Sequence, residues 1–321
     1  DMVNEKQKGL AYSIQSFLCN AGSLVGFLFP FIFTWIGISN IAPQGVVPDS
    51  VIYSFYIGAA ILILCVIYTT VKVKEMPPAE YAEYHGITEE EKKKKINMVK
   101  LLVKAPKAFW TVGLVQFFCW FAFMFMWTYT NGSVAANVFD APTVETVVNG
   151  ANKVVLDTKS IQYQNAADWV GVLFAVQAIG SVLWAVCIPM FKNRKLIYSL
   201  SLVLGGIGFI STYFVHNQYV LFISFLLIGC AWAAMLALPF TILTNALSGG
   251  HMGTYLGLFN GTICIPQIVA ATLGGSILAL FTPKGMLPPE INMLVMAGVM
   301  LIIGAVCVYL IKETKGEQAK A

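Results

Sequence analysis

Charge is scarce in this sequence and is missing from the middle of its apolar runs. Asp, Glu, Lys and Arg make up 11% of the 321 residues, and hydrophobic residues make up 58%. Ordinary soluble domains contain about 25% charged residues, so the composition excludes that class. The charged residue nearest to the middle of a run is Asp168, which stands close to the start of that run. An intramembrane charge usually marks an ion or proton path, and the sequence shows no such mark.

Cysteine and histidine are placed where they favour neither bridges nor metal sites. All seven cysteines lie inside apolar runs without Cys-x-x-Cys spacing, and the three histidines stand in separate loops. This pattern favours reduced cysteines that act as small hydrophobic residues, so we expect no metal site and no cofactor. The apolar runs also lack HExxH, GxSxG, Cys/His pairs and paired carboxylates. We therefore expect that the protein is not an enzyme.

What the sequence does contain is eight apolar runs long enough to be membrane spans. A helix needs roughly 20 apolar residues to cross a bilayer. The runs occupy residues 10–37, 51–71, 108–135, 165–191, 196–215, 219–247, 254–280 and 291–311. The sequence therefore predicts an all-α fold, a polytopic membrane helix bundle with eight transmembrane helices.

Lys and Arg are divided unequally between the two sides of such a bundle. With loops alternating between sides, 17 of the 20 Lys and Arg residues fall on one side, and only Lys153, Lys159 and Lys284 fall on the other. Basic residues are enriched in cytoplasmic loops, so we predict a multi-pass protein of the plasma membrane with both termini cytoplasmic. The predicted external loops are 38–50, 136–164, 216–218 and 281–290.

The segment 72–107 separates the first two of these helices from the other six. It contains nine lysines and six acidic residues, and its Thr88 and Glu91 have the spacing of a helix capping box. An apolar side follows, formed by Ile96, Val99, Leu102 and Val103. We therefore predict a short amphipathic helix on the inner membrane surface, whose lysines contact anionic lipid rather than nucleic acid.

Two helices, a linker and six helices form an unbalanced plan. We expect residues 1–71 to be the last two helices of an N-terminal bundle, 72–107 a cytoplasmic linker with the amphipathic helix, and 108–321 a six-helix C-terminal bundle. The chain also begins on a charged stretch without a signal-peptide cleavage site. We therefore expect a longer membrane protein with about four helices upstream and a substrate near the mid-plane between two bundles.

One face of the third run combines amide and aromatic side chains. A spacing of about 100° per residue places its members within an arc of about 80°. They are Gln116, Trp120, Phe123, Trp127 and Asn131. Amides can hydrogen-bond to the hydroxyls of a sugar, and indole rings can stack on its C–H faces, so we predict that this face lines a pore. The alternative is that the indoles pack at helix contacts or at the membrane interface and that the amides bond between helices.

Two other runs carry weaker versions of this pattern. Asn260 and Gln267 share one face of the seventh run, and Gln177 shares a face of the fourth run with Ser181 and Trp184. An unpaired amide in hydrocarbon is costly, so each amide needs either a wet cavity or a partner helix. The predicted substrate-binding residues are Gln116, Trp120, Trp127, Asn131, Gln177, Asn260 and Gln267.

The sixth run contains a proline, and the seventh contains a proline and regularly spaced glycines. Gly253, Gly257 and Gly261 form a GxxxGxxxG pattern, which favours the close approach of another helix. Pro239 and Pro266 each remove a backbone hydrogen bond and permit a kink. Such a kink is either a gating point or a static bend, and the sequence leaves both roles open.

Four stretches resemble a known family of membrane proteins. Residues 1–9 (DMVNEKQKG) look like the loop between helices four and five of the major facilitator superfamily, and residues 118–123 (FCWFAF) look like part of its helix seven. Residues 236–239 (LALP) resemble the later part of helix ten, and residues 257–267 resemble helix eleven. The sequence is similar to the sucrose/maltose branch of sugar–cation symporters, near the glycoside–pentoside–hexuronide transporters. The resemblance covers nearly the whole chain, with these eight helices as helices five to twelve of twelve.

This resemblance implies a sugar–proton symporter that works by alternating access, with its coupling acid in the first helix, outside this sequence. One departure is the stretch 191–195 (FKNRK), which keeps the basic end of the superfamily's loop motif but lacks its Asp and Gly. We expect a monomer in membrane lipid that binds a small-molecule sugar and a proton or sodium ion, with no nucleic-acid partner. Export of apolar compounds is the alternative function, and the amides on the pore faces speak against it.

Overall fold

The computed structural model describes residues 8–38, 47–74, 77, 80, 98–148, 151–246 and 252–311. Within these residues the chain forms ten α-helices and one two-stranded hairpin. The helices are α1 (Lys8–Trp35), α2 (Asp49–Lys72), α3 (Met98–Val103), α4 (Lys107–Asn137), α5 (Ile161–Cys187), α6 (Arg194–Ser211), α7 (Leu221–Ala246), α8 (Met252–Phe259), α9 (Gly261–Phe281) and α10 (Ile291–Cys307). The strands are β1 (Thr143–Val148) and β2 (Ala151–Leu156).

Each of the eight apolar runs falls on a helix, so the predicted all-α membrane bundle is confirmed. Seven helices of the described chain are long and apolar enough to cross a membrane. The first run corresponds to α1, which is 28 residues long but contains a shorter apolar stretch, Phe17–Phe29. The seventh run is divided at Asn260 into α8 and α9.

The segment between α4 and α5 contains a β-hairpin that the prediction of a plain loop at 136–164 missed. β1 pairs with β2 in antiparallel register, with Thr143 opposite Leu156 and Val148 opposite Ala151. Both strands are rich in valine, which packs well on a pleated surface. The hairpin follows the end of α4 and precedes the start of α5. We call this end of the helix bundle the hairpin end.

The described part of the linker includes the short helix α3. Val99 and Val103 are exposed on it, and Leu102 is half-buried. Thr88, Glu91 and Ile96 of the predicted amphipathic helix lie outside the described residues.

The chain divides into two compact units. The first contains Asp1–Leu28, Pro106–Leu247 and Leu256–Ala321, and the second contains Phe29–Ala105 and Ser248–Tyr255. In the second unit, the Tyr255 hydroxyl donates a hydrogen bond to the Leu101 carbonyl oxygen at 3.4 Å.

Helix α4 lies at the centre of the first unit. It contacts α10, α9, α7 and α5. Within its most apolar stretch 67% of the residues are buried, against 6% for α2. Most of its residues are apolar, and such a helix is stable when other helices surround it. The side chains that α4 presents to α7 and α9 are therefore held by packing from several directions.

Three glycines let α5, α6 and α7 approach closely. A methyl group at Gly180 of α5 would lie 2.6 Å from the Leu226 carbonyl oxygen, and one at Gly208 of α6 would lie 2.6 Å from the Ser224 carbonyl oxygen. A methyl group at Gly229 of α7 would overlap the backbone of α5. Small residues at helix contacts permit such backbone approach in membranes.

The GxxxGxxxG pattern has no such role within the described chain. No atom of the described residues lies within 4 Å of a methyl group built on Gly253 or Gly257, and the nearest atom to one on Gly261 is 3.8 Å away in Ile265. The prediction that this pattern marks close helix packing is therefore wrong for this part of the chain. The spacing alone permits close approach, but only a facing helix makes use of it.

Candidate functional site

Three indole rings and one phenyl ring from α4 and α7 pack together. The centroids of Trp120 and Trp127 on α4 are 6.4 Å apart, and Trp232 of α7 lies 5.8 Å from the first and 5.7 Å from the second. The Phe123 ring lies 4.9 Å from Trp232. Aromatic pairs at such distances stabilise one another beyond their burial. We call Trp120, Phe123, Trp127 and Trp232 the aromatic cluster.

Two rings of the aromatic cluster, Phe123 and Trp120, are buried, and the other two, Trp127 and Trp232, are partly accessible. Phe123 is fully buried and Trp120 is 9% exposed, whereas Trp127 is 40% exposed and Trp232 is half-buried. The indole N–H of Trp120 is buried and has no hydrogen-bond partner among the described residues. A buried, unpaired donor costs free energy, so a ligand oxygen that accepted its hydrogen bond would recover that cost.

Gln116 joins α4 to α7 one helical turn below Trp120. Its side chain is fully buried, and its amide N–H donates to the Met235 carbonyl oxygen at 3.2 Å. That carbonyl stands four residues before Pro239, which has no N–H for the usual helical bond. Gln116 therefore supplies the donor that Pro239 lacks. Its Oε1 atom is buried without a partner in the described chain.

Asn131 lies on α4 near the hairpin end and bonds to α5. Its Nδ2 atom donates to the Tyr163 hydroxyl at 2.9 Å, and its Oδ1 atom is buried with no partner among the described side chains. The next residue, Gly132, lies against the carboxylate of Glu290, which a methyl group at position 132 would overlap. Burial raises the pKa of Glu290 to about 7.

The predicted face of α5 makes contacts between helices. Gln177 is buried, and the Ser181 hydroxyl donates to Asn20 Oδ1 of α1 at 3.0 Å. The Trp184 indole N–H donates to the Ser201 hydroxyl of α6 at 2.8 Å. The partner-helix role that the sequence left open for this face therefore describes Ser181 and Trp184.

The predicted face of α9 is accessible. Asn260 is exposed at the junction of α8 and α9, and Gln267 is half-buried two turns later. Cys264 and Ala271, on the same face, are exposed. Within the described residues neither amide side chain forms a hydrogen bond, so both are free to bind a ligand or water.

The seven predicted residues thus fall into four places. Trp120 and Trp127 meet in the aromatic cluster, with Gln116 behind them at the α4–α7 contact, and Asn131 lies toward the hairpin end. Gln177 is buried on α5, and Asn260 and Gln267 lie on α9. In the described chain, no group of three His, Cys, Asp or Glu side chains could hold a metal ion.

Two residues that the sequence analysis did not select belong to these places. Trp232 completes the aromatic cluster, and its only signal in the sequence is a large ring among small neighbours in Gly229–Ala234. Glu290 falls in the predicted loop 281–290, just before an apolar run, although Pro288 and Pro289 before it mark a sharp entry to the helix.

Comparison with protein families identifies the family of the chain. The family model described as the Major Facilitator Superfamily matches residues 134–321, which is more than half of the chain. The match begins inside α4, so Trp232 and Glu290 fall within it and Trp120 falls before it. A comparison with curated proteins gives no match. The chain belongs to the major facilitator superfamily, and it is a multi-pass membrane transporter of small molecules.

Proposed function

We propose that this chain is part of a transporter that moves a sugar, such as the disaccharide sucrose or maltose, across the plasma membrane together with protons. The aromatic cluster is the observation that carries the proposal, because α4 and α7 together present three indoles and one buried N–H that has no partner among the described residues. Sugars have apolar ring faces and many hydroxyls, so stacked indoles beside a hydrogen-bond donor suit them.

The residues divide the work of binding. Trp127 and Trp232 stack on the sugar ring, and the Trp120 N–H donates to a hydroxyl. Asn260 and Gln267 contribute amides from α9. Gln116 and Asn131 hold the walls through hydrogen bonds between helices, and Gln177 is buried in the wall on α5.

The buried polar groups favour a sugar over an apolar substrate. An apolar compound would leave the Trp120 N–H unpaired, whereas a hydroxyl oxygen would accept its hydrogen bond. A site built to hydrogen-bond a hydroxyl rejects a ligand without one, because the polar groups of the site then stay unpaired.

The proposed mechanism is alternating access between two bundles. Residues 1–71 end the N-terminal bundle, 72–107 form the cytoplasmic linker, and 108–321 form the C-terminal bundle. The transporter is a monomer, and both termini of this chain are cytoplasmic. The hairpin end then faces the outside. Sodium in place of the proton is the alternative coupling ion.

Uptake of radiolabelled sucrose and maltose tests the proposal. Cells that express the complete transporter are expected to accumulate one of the two sugars, and a protonophore is expected to abolish the accumulation. If neither sugar enters and the cells instead expel an apolar dye, the exporter alternative is correct.

A pair of tryptophan variants tests the binding face. Trp232→Ala removes one stacking surface, worth about 1.4 kcal/mol, and is expected to raise KM about tenfold. Trp110→Ala is the matched control, because Trp110 is 52% exposed on α4 and contacts Phe109 rather than the cluster. An unchanged KM in the first variant, or an equal change in both, would contradict the assignment.

A further inference from the structure

A carboxylate lies among four helices at the hairpin end. Glu290 immediately precedes α10, but its side chain does not cap that helix. It is half-buried against Gly132 of α4, and a methyl group at that position would overlap the carboxylate. Gly132 is five residues before the end of α4, which places the contact about 7.5 Å below the end of that helix.

The groups around Glu290 are hydroxyls and an amide. Tyr129 of α4 and Tyr163 of α5 both interact electrostatically with its carboxylate. Tyr163 accepts the hydrogen bond from Asn131, whose Oδ1 atom is buried without a partner among the described residues. α9 contributes Gly274, where a methyl group would lie 2.6 Å from the Tyr129 hydroxyl oxygen. Helices α4, α5, α9 and α10 therefore all meet at this place.

The place holds no compensating positive charge within the described chain. The carboxylate of Glu290 acts electrostatically on two tyrosines, and burial alone raises the pKa of Glu290 to about 7. A half-buried carboxyl group without a cationic partner favours its neutral, protonated form. The protonated form also has an O–H donor, which this amide-rich and hydroxyl-rich setting can accept.

We propose that Glu290, which packs against Gly132 and interacts electrostatically with Tyr129 and Tyr163, is a proton-binding site at the hairpin end of the helix bundle. The proton comes from the solution at that end, binds a carboxylate oxygen and returns to the same solution. In the neutral form the carboxyl packs against Gly132 and holds α10 to α4. In the ionised form it favours hydration, which loosens that contact.

The sign of the pH dependence follows from the raised pKa. A group whose pKa is higher in the packed state than its ordinary value of 4.5 binds more protons in that state. The contact between α10 and α4 is therefore fully stabilised below about pH 4.5 and loses this stabilisation as the pH rises through about 7.

Infrared difference spectroscopy of the purified full chain in lipid nanodiscs tests the site directly. A protonated carboxyl band is expected to appear as the pH falls, with a midpoint near pH 7, and to be absent in Glu290→Gln. Glu145→Gln is the matched control, because Glu145 is exposed on β1 at the same end. Survival of the band in Glu290→Gln, or its loss in Glu145→Gln alone, would overturn the proposal.

Two further measurements keep the site distinct from its alternatives. Gly132→Ala displaces the Glu290 carboxylate toward water and is expected to lower the midpoint of the titration by at least one pH unit. If Gly132→Ala does not fold, the Glu290→Gln result still tests the site. A midpoint that moves with sodium concentration would show a sodium site instead and would overturn proton binding. The proposal concerns the same transporter as the sugar proposal, but the titration needs no sugar. A midpoint near 7 without sugar uptake would therefore remove only the sugar.

Discussion

Helices α7 and α9 each contain one proline that interrupts the backbone hydrogen bonding, but the surroundings of the two interruptions differ. α7 is 61% buried in its apolar stretch, and the carbonyl that Pro239 leaves free accepts a hydrogen bond from Gln116. The stretch that includes α9 is 17% buried, and no side chain of the described residues donates to the carbonyl four residues before Pro266. A break inside the bundle needs a polar donor from a neighbouring helix, because neither lipid nor apolar side chains can supply one.

The difference also ties the kink of α7 to the candidate site. Gln116 stands one turn from Trp120, and Met235 stands three residues from Trp232. The hydrogen bond therefore fixes α4 and α7 relative to one another where the aromatic cluster needs both. α9 has no such hydrogen bond in the described chain, so the helix alone positions the exposed Asn260 and the half-buried Gln267.

Glycine-to-alanine substitutions should show the largest difference in stability between α7 and α9. In α7, Gly229→Ala would force the backbone of α5 away, and we expect a loss of about 3 kcal/mol in the free energy of unfolding. In α9, Gly275→Ala meets no atom within 4 Å and should raise stability by about 0.5 kcal/mol. Thermal unfolding in detergent, followed by circular dichroism, measures both. Equal effects would mean that α7 and α9 are packed alike.

A double-mutant cycle tests the repaired proline. Gln116→Leu leaves the Met235 carbonyl unpaired and should cost about 2 kcal/mol of unfolding free energy. In a Pro239→Ala background the helix makes its own bond, so the same change should cost less than about 1 kcal/mol.

Pro266→Ala is the control background for that cycle. No hydrogen bond links Gln116 to α9 in the described chain, so the two changes should add without coupling. Equal costs of Gln116→Leu in all three backgrounds would contradict the idea that Gln116 compensates for Pro239.

The smallest effect on stability is expected from the α9 amides. Asn260→Ala and Gln267→Ala should change the unfolding free energy by less than about 0.5 kcal/mol, because neither side chain forms a hydrogen bond in the described chain. Both should nevertheless weaken sugar uptake. Ser276→Ala is the control, since Ser276 lies nine residues after Gln267 and so on the opposite side of the helix. Unchanged uptake in both amide variants would remove α9 from the proposed site.

Most of the fold could be predicted from the sequence because a bilayer imposes a length and a composition on each helix. The hairpin was missed although Asn149-Gly150 separates two valine-rich stretches, the pattern most typical of a two-residue hairpin turn. Hydropathy detects apolar length rather than strand pairing, so it assigns those residues to a loop.

The candidate site was predictable only where a helix has a distinct face. α4 shows its indoles and amides at helical spacing, and two of those indoles do meet. α7 is apolar all round, so periodicity gives Trp232 no direction, and only the contact with α4 does. The partner of Gln116 is a backbone carbonyl, which carries no residue type that a sequence pattern could single out.

The two partners of the hydrogen bond between Gln116 and Met235 are synthesised at different times. The two residues are 119 positions apart, and a ribosome makes α4 before α7. When α7 enters the bilayer, the Gln116 amide of α4 is already present to donate to the Met235 carbonyl that Pro239 leaves free. A circular permutant that delivers α7 first would expose that carbonyl to hydrocarbon, at a cost of several kcal/mol until α4 arrives. The direction of synthesis therefore assists the membrane insertion of α7.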